Sequence, residues 1–88
     1  MRIIKFGAIW CKECLVMKPM WETIEKEIPE VNTEYFDIDM NPDMQEKYNI
    51  TNVPAFVFLD KEDNEFLRLK GVQNKEDLIK TIKENLDK

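Results

Sequence analysis

Ile3-Ile4-Lys5-Phe6-Gly7-Ala8-Ile9-Trp10-Cys11-Lys12-Glu13-Cys14 carries an apolar run straight into a pair of cysteines, and a helical pattern begins where the run stops. The run is mostly apolar, so residues 2 to 8 are predicted to form a strand covered on both faces. From Cys11 to about Ile28 the pattern is helical, with Cys14, Met17, Trp21, Ile24 and Ile28 recurring at spacings of three and four. The two cysteines are the only ones in the chain. Two cysteines placed at random in 88 residues would sit three apart roughly 2% of the time, so the spacing asks for a reason. A strand-to-helix junction supplies one. It sets the first thiol at a helix N-terminus, where unpaired N–H groups and the helix dipole favour a thiolate. The thiolate is the nucleophile of disulfide exchange.

The rest of the chain extends this opening unit. Pro19 lies inside the helical pattern and should kink it, and Pro29 ends it. Val31 through Asp39 alternates as a second strand. Asn41-Pro42 suits an N-cap followed by the first helical position, predicting a short helix through Tyr48. Ala55-Phe56-Val57-Phe58-Leu59 is a buried strand by composition. A polar turn, Asp60 to Asn64, leads to an antiparallel partner at Glu65 to Lys70, which Gly71 breaks. Asn74 with Asp77 resembles a capping box. The last helix carries Leu78, Ile79, Ile82 and Leu86 on one face. The order is βαβαββα, an α/β fold of one domain over residues 1–88. It predicts a four-stranded mixed sheet with helices on both faces.

Composition bounds the function. Eighteen acidic and 13 basic residues leave a formal charge of −5, which argues against non-specific nucleic-acid binding. No stretch approaches the ~20 apolar residues that span a bilayer. The N-terminus lacks the basic, apolar and small-residue order of a signal peptide, so a cytoplasmic protein is expected. In a reducing compartment two cysteines point to catalysis or metal rather than a structural staple. Two thiolates are half of a four-ligand metal site, and the chain has no histidine to complete one. A zinc or cluster site would therefore need a second chain or another thiol.

These features together resemble the thioredoxin family. The Trp-Cys-x-x-Cys core is Trp10, Cys11 and Cys14. Pro19 matches the family's helix-kinking proline, Val53-Pro54 its cis-proline loop, and Gly71 its glycine after the last strand. Asp37 to Pro42 is similar to the segment that ends the family's preceding strand. The family's first strand and helix are missing from this chain, so the topology is that of the minimal, glutaredoxin-like core. Lys12-Glu13 stands where Gly-Pro is usual, Lys5 where the family has a buried aspartate, and Tyr35 where a lysine accompanies it.

The resemblance implies a thiol–disulfide oxidoreductase that reduces protein disulfides. Cys11 would be the nucleophile, and Cys14, less exposed, would resolve the mixed disulfide. Trp10, Val53, Pro54, Gly71 and Val72 would form the substrate groove, Gly71 by allowing close backbone approach. Lys12 favours the Cys11 thiolate while Glu13 opposes it. Lys5, with Tyr35 beside it, either supports the thiols from beneath or snorkels its amine to water or a carboxylate. No cofactor or metal is implied beyond the redox-active cysteine pair. Partners would be disulfide-containing proteins and a thioredoxin-reductase-like or small-thiol electron donor, with no nucleic acid or membrane, and a monomer as default. Two other readings keep the fold: a redox-inactive docking module, and a metal- or cluster-bridged dimer.

Overall fold

The computed structural model describes all 88 residues. The elements run β1 (Arg2–Gly7), α1 (Lys12–Glu27), β2 (Asn32–Asp37), α2 (Pro42–Lys47), β3 (Ala55–Leu59), β4 (Glu65–Lys70) and α3 (Lys75–Asn85). The sheet order is β2-β1-β3-β4. β1 and β2 are parallel, while β1–β3 and β3–β4 are antiparallel. β1 is thus central, as its apolar run requires.

Strand alternation divides the core into two layers. Ile3, Phe56 and Phe58 meet Met17, Trp21, Ile24 and Ile28 of the α1 region and Leu78 and Ile82 of α3. On the opposite face Ile4, Phe6, Ala55, Val57 and Leu59 form a second cluster with Ile50. Only α2, with Met44 and Tyr48, packs there from a helix or its end. A six-residue helix covers little of a sheet, yet Ile4, Val57 and Leu59 are fully buried. The register explains how. Glu34 is paired with Ile4, Ile4 with Val57, and Val57 with Arg68. Arg68 forms a bidentate pair with Glu65 at 2.8 Å on both arms. Arg2 bonds Glu34 at 2.6 Å and Asp63 at 3.1 Å. Phe36, Ile38 and Val53 also pack on this cluster, and the register sets Arg2 and Arg68, each paired with a carboxylate, on the same face, where their aliphatic stems add to its cover.

Two local details differ from expectation. β2 stops at Asp37 rather than 39, because the Asp37 carboxylate accepts the N–H groups of Asp39 and Met40 and turns the chain. Asn41 precedes α2 but makes no side-chain cap; its amide donates back to the Asp37 carbonyl at 3.1 Å. Gly71 has a φ of +81°, a conformation that only glycine adopts freely, and a Cβ there would meet no atom of this chain within 4 Å.

Candidate active site

The two cysteines lie at the C-terminal end of β1. Residues 8–10 leave the strand, and Cys11 becomes the N-cap of α1 in extended conformation. The Cys14 backbone N–H donates to Cys11 Sγ at 3.2 Å, satisfying one of the free donors of the first turn. Cys11 and Cys14 are joined by a disulfide with their Cα atoms 5.3 Å apart, within the usual span. Cys11 Sγ lies 3.7 Å from the Val53 carbonyl oxygen, and the Val53–Pro54 peptide is cis. The Gly71 N–H donates to the Pro54 carbonyl at 2.8 Å, which ties the end of β4 to this loop. Trp10 is 64% exposed, and its indole N–H donates to Asp39 at 2.8 Å. Val72 is also exposed. Val53 thus meets Cys11 through its carbonyl, Trp10 precedes it in the chain, and Gly71, next to Val72, is tied to the Pro54 end of the same loop.

The exposure of the two cysteines is the reverse of expectation. Cys11 is 6% exposed, whereas Cys14 is partly exposed. Cys14 lines a cavity of about 510 Å³ between α1 and β1–β2, whereas Cys11 does not and lies against the Val53 carbonyl. Ile3, Lys5 and Gly7 occupy the β1 positions that face α1, and at Gly7 the Tyr35 ring from β2 takes the place a side chain would fill. A Cβ on Gly7 would stand 2.7 Å from the Tyr35 hydroxyl.

Lys5 reaches a carboxylate rather than the thiols. Its ammonium is 2.7 Å from Glu25 Oε2 and 5.3 Å from the centre of the Trp21 ring, with the side chain 15% exposed. Glu25 also accepts from Thr33 Oγ1 at 2.8 Å. Burial pushes the Glu25 carboxyl up, but the Lys5 and Thr33 hydrogen bonds and the Lys5 charge outweigh it and hold it below its ordinary value. Burial, with the Asp37 charge, raises the Tyr35 phenol. Lys12 and Glu13 are exposed. Trp21 is buried against Phe56, 5.3 Å between ring centres, and its indole N–H has no partner.

The run Glu25-Lys26-Glu27 reads from sequence as a solvated face, but Glu25 is only partly exposed and bonded to Lys5 and Thr33; Gly7 carries no assignment from sequence. Glu25 follows Trp21 by four and Cys14 by eleven, on the helical stripe that faces β1. A lysine inside an apolar central strand calls for such a partner. No group of three or more His, Cys, Asp or Glu side chains is gathered where it could hold a metal ion. No helix is long and apolar enough to cross a membrane.

Residues 1–84 match the family model described as Thioredoxin. The chain belongs to the thioredoxin family. It is 34% identical over 80 residues to the thioredoxin of Chlamydia trachomatis, covering 91% of this chain and 78% of that one. It is 36% identical over 78 residues to an H-type thioredoxin of Fagopyrum esculentum, covering 89% and 66%. Among solved structures, the thioredoxin of Fasciola hepatica superposes with a TM-score of 0.86 at 37% identity, over 96% of this chain and 79% of that one. Thioredoxin 1 of Thermosipho africanus gives 0.84 at 29% identity, over 99% and 96%. With its cysteines bridged in the Cys-x-x-Cys position, the chain is a thiol–disulfide oxidoreductase.

Proposed function

We propose that this protein reduces disulfides in protein substrates, with Cys11 as nucleophile and Cys14 as resolving thiol. The observation that carries the assignment is the Cys11 cap. Its sulfur accepts an N–H at the start of α1, a setting that stabilises a thiolate, and it faces the Val53–Pro54 loop. The Cys11 thiolate attacks one sulfur of the substrate disulfide. The S–S bond breaks, the departing thiolate takes a proton, and a mixed disulfide remains on Cys11. Cys14, deprotonated, then attacks Cys11 Sγ. The second substrate thiolate leaves, and the Cys11–Cys14 disulfide holds the oxidising equivalent.

An extended substrate segment lies in the groove of Trp10, Val53, Pro54, Gly71 and Val72, pairing with the Val53 backbone. The Cys11 sulfur sits beside the Val53 carbonyl, and Val72 and Trp10 offer apolar walls. Lys12 adds a positive charge next to Cys11. Lys5 acts through Glu25, fixing the stripe of α1 that bears Cys14, and Tyr35 walls the space beneath. The protein works as a cytoplasmic monomer and draws electrons from a thioredoxin-reductase-like protein or a small thiol. It needs no cofactor beyond its cysteine pair.

Cys14→Ser should accumulate a substrate-linked adduct on Cys11 that dithiothreitol releases, and Cys11→Ser should form none. Non-reducing gels with a disulfide-bearing protein read both. An adduct on Cys14 in Cys11→Ser, with none in Cys14→Ser, would reverse the roles.

A further inference from the structure

The segment between β4 and α3, residues 71–74, belongs to no strand or helix, yet it carries Val72 of the proposed substrate groove. Single hydrogen bonds hold it instead. The Gly71 N–H donates to the Pro54 carbonyl at 2.8 Å. The Gln73 side-chain amide donates to the carbonyls of Lys70 at 3.0 Å and Gly71 at 3.3 Å. The Gln73 backbone N–H donates to the Met17 thioether, 3.4 Å from Sδ. The first bond runs to the cis-proline loop and the side-chain pair is local. Only the bond to Met17 reaches α1, the helix that bears the dithiol. Met17 is 2% exposed and belongs to the core cluster with Trp21, Leu78 and Ile82. A leucine would fill that volume as well, but it offers no acceptor and would leave the Gln73 N–H without a partner. Met17 follows Cys14 by three residues, so one turn of α1 separates the proposed resolving thiol from the anchor of this segment.

We propose that Met17 is a positioning residue for substrate recognition: by holding the Gln73 N–H, its sulfur fixes Val72 relative to the dithiol. This rests on the groove and the dithiol cycle proposed above. Gly71, with φ at +81°, precedes Val72 and restrains the backbone less than any other residue would, so the segment depends on its bonds for its place. A wall already in place loses little freedom when an extended substrate segment binds, whereas a loose one must be ordered at that moment. A small disulfide needs the sulfur atoms and not the groove. Met17 therefore acts on the binding of protein disulfides and leaves the exchange step itself untouched.

Amide hydrogen exchange on the wild-type protein tests the bond itself. The Val72 N–H has no partner in the chain, so the Gln73 N–H should exchange about tenfold more slowly once intrinsic rates are divided out. Equal protection of the two would overturn the proposal. Met17→Leu tests the consequence, with dithiothreitol as electron source, insulin as the protein disulfide and hydroxyethyl disulfide as the small one. KM for insulin should rise about three- to tenfold at unchanged kcat, while the rate with hydroxyethyl disulfide and the reduction potential stay at wild-type values. An unchanged KM, or an equal loss with both disulfides, contradicts the assignment. Met20→Leu, on the same helix and packed against the same core cluster, should leave both activities as they are. If it raises the insulin KM as Met17→Leu does, the effect is one of core packing and the assignment falls. If the wild type reduces neither disulfide, the dithiol cycle fails and this inference with it. If the wild type reduces both and Met17→Leu matches it, the cycle stands and only the role of Met17 is lost.

Discussion

At the scale of single residues, Lys5 shows how a charge is kept inside a sheet. Its stem replaces apolar surface in β1, and its ammonium is shared between Glu25 and the face of Trp21. The two partners are not equivalent under mutation. Lys5→Met removes the charge and keeps the volume, leaving Glu25 partly exposed and able to turn to water, so the loss should be within about 1 kcal/mol. Glu25→Ala strands a mostly buried ammonium and should cost more, about 1–2 kcal/mol. Urea denaturation compares the two; equal costs would mean that the pairing contributes nothing beyond packing. The pH dependence has a definite sign. Glu25 is held below its ordinary value near 4.5, so its contribution is present above that pH and is lost as pH falls through the folded value. Lys5→Met should therefore lose less stability on acidification below about pH 4.5 than wild type. The need for a partner was legible in Lys5 itself. Which carboxylate answers it was not, because Glu22 and Glu25 both border the same side of α1.

At the scale of elements, caps and strand ends separate what pattern reveals from what it hides. Asn74 was readable as a cap and accepts from the N–H groups of Glu76 and Asp77 at 2.9 and 3.1 Å. Asn74→Ala should destabilise by about 1 kcal/mol, while Asn74→Asp should be near neutral, both by urea midpoint. No change in Asn74→Ala would show the cap to be dispensable. Asn41 has the same chemistry and no cap, because the turn built on Asp37 claims its side chain first. Periodicity and apolar composition located the strands and the two long helices, while the Asn41-Pro42 pair located α2, which buries no residue fully. Neither could weigh competing side-chain-to-backbone bonds, and β2 therefore ends two residues early. The order of exposure at the cysteines was hidden for a similar reason. It depends on the tertiary surroundings, a cavity that Cys14 lines and a loop carbonyl that covers Cys11, rather than on the position of Cys14 within α1.

At the scale of the whole molecule, the two faces of the sheet are held by different means. Two long helices bury one face in aromatic and aliphatic contacts, while the other combines short α2 with arginine stems. Arg68→Met should keep stability within about 0.5 kcal/mol, since the stem does the covering. Arg68→Ser, which uncovers Val57, should lose about 1–2 kcal/mol. Equal losses in urea would assign the effect to the Glu65 pair instead. β2 and β4 are the outer strands; on β2 Glu34 is paired with Arg2, and Asp37 adds a negative charge that opposes edge-to-edge pairing. Alternation and charge in the sequence pointed to this sheet, but not to the arginine cover, which appears only when the register sets Arg68 opposite Val57. The central claim is that Cys11 and Cys14 cycle as a reducing dithiol pair. Equilibration in glutathione and dithiothreitol buffers tests it most directly, with alkylation reporting the reduced fraction. A single two-electron transition near the thioredoxin value, about −270 mV, is predicted. A transition at about −120 to −180 mV would make the protein an oxidant or isomerase and contradict the account, as would the absence of any transition.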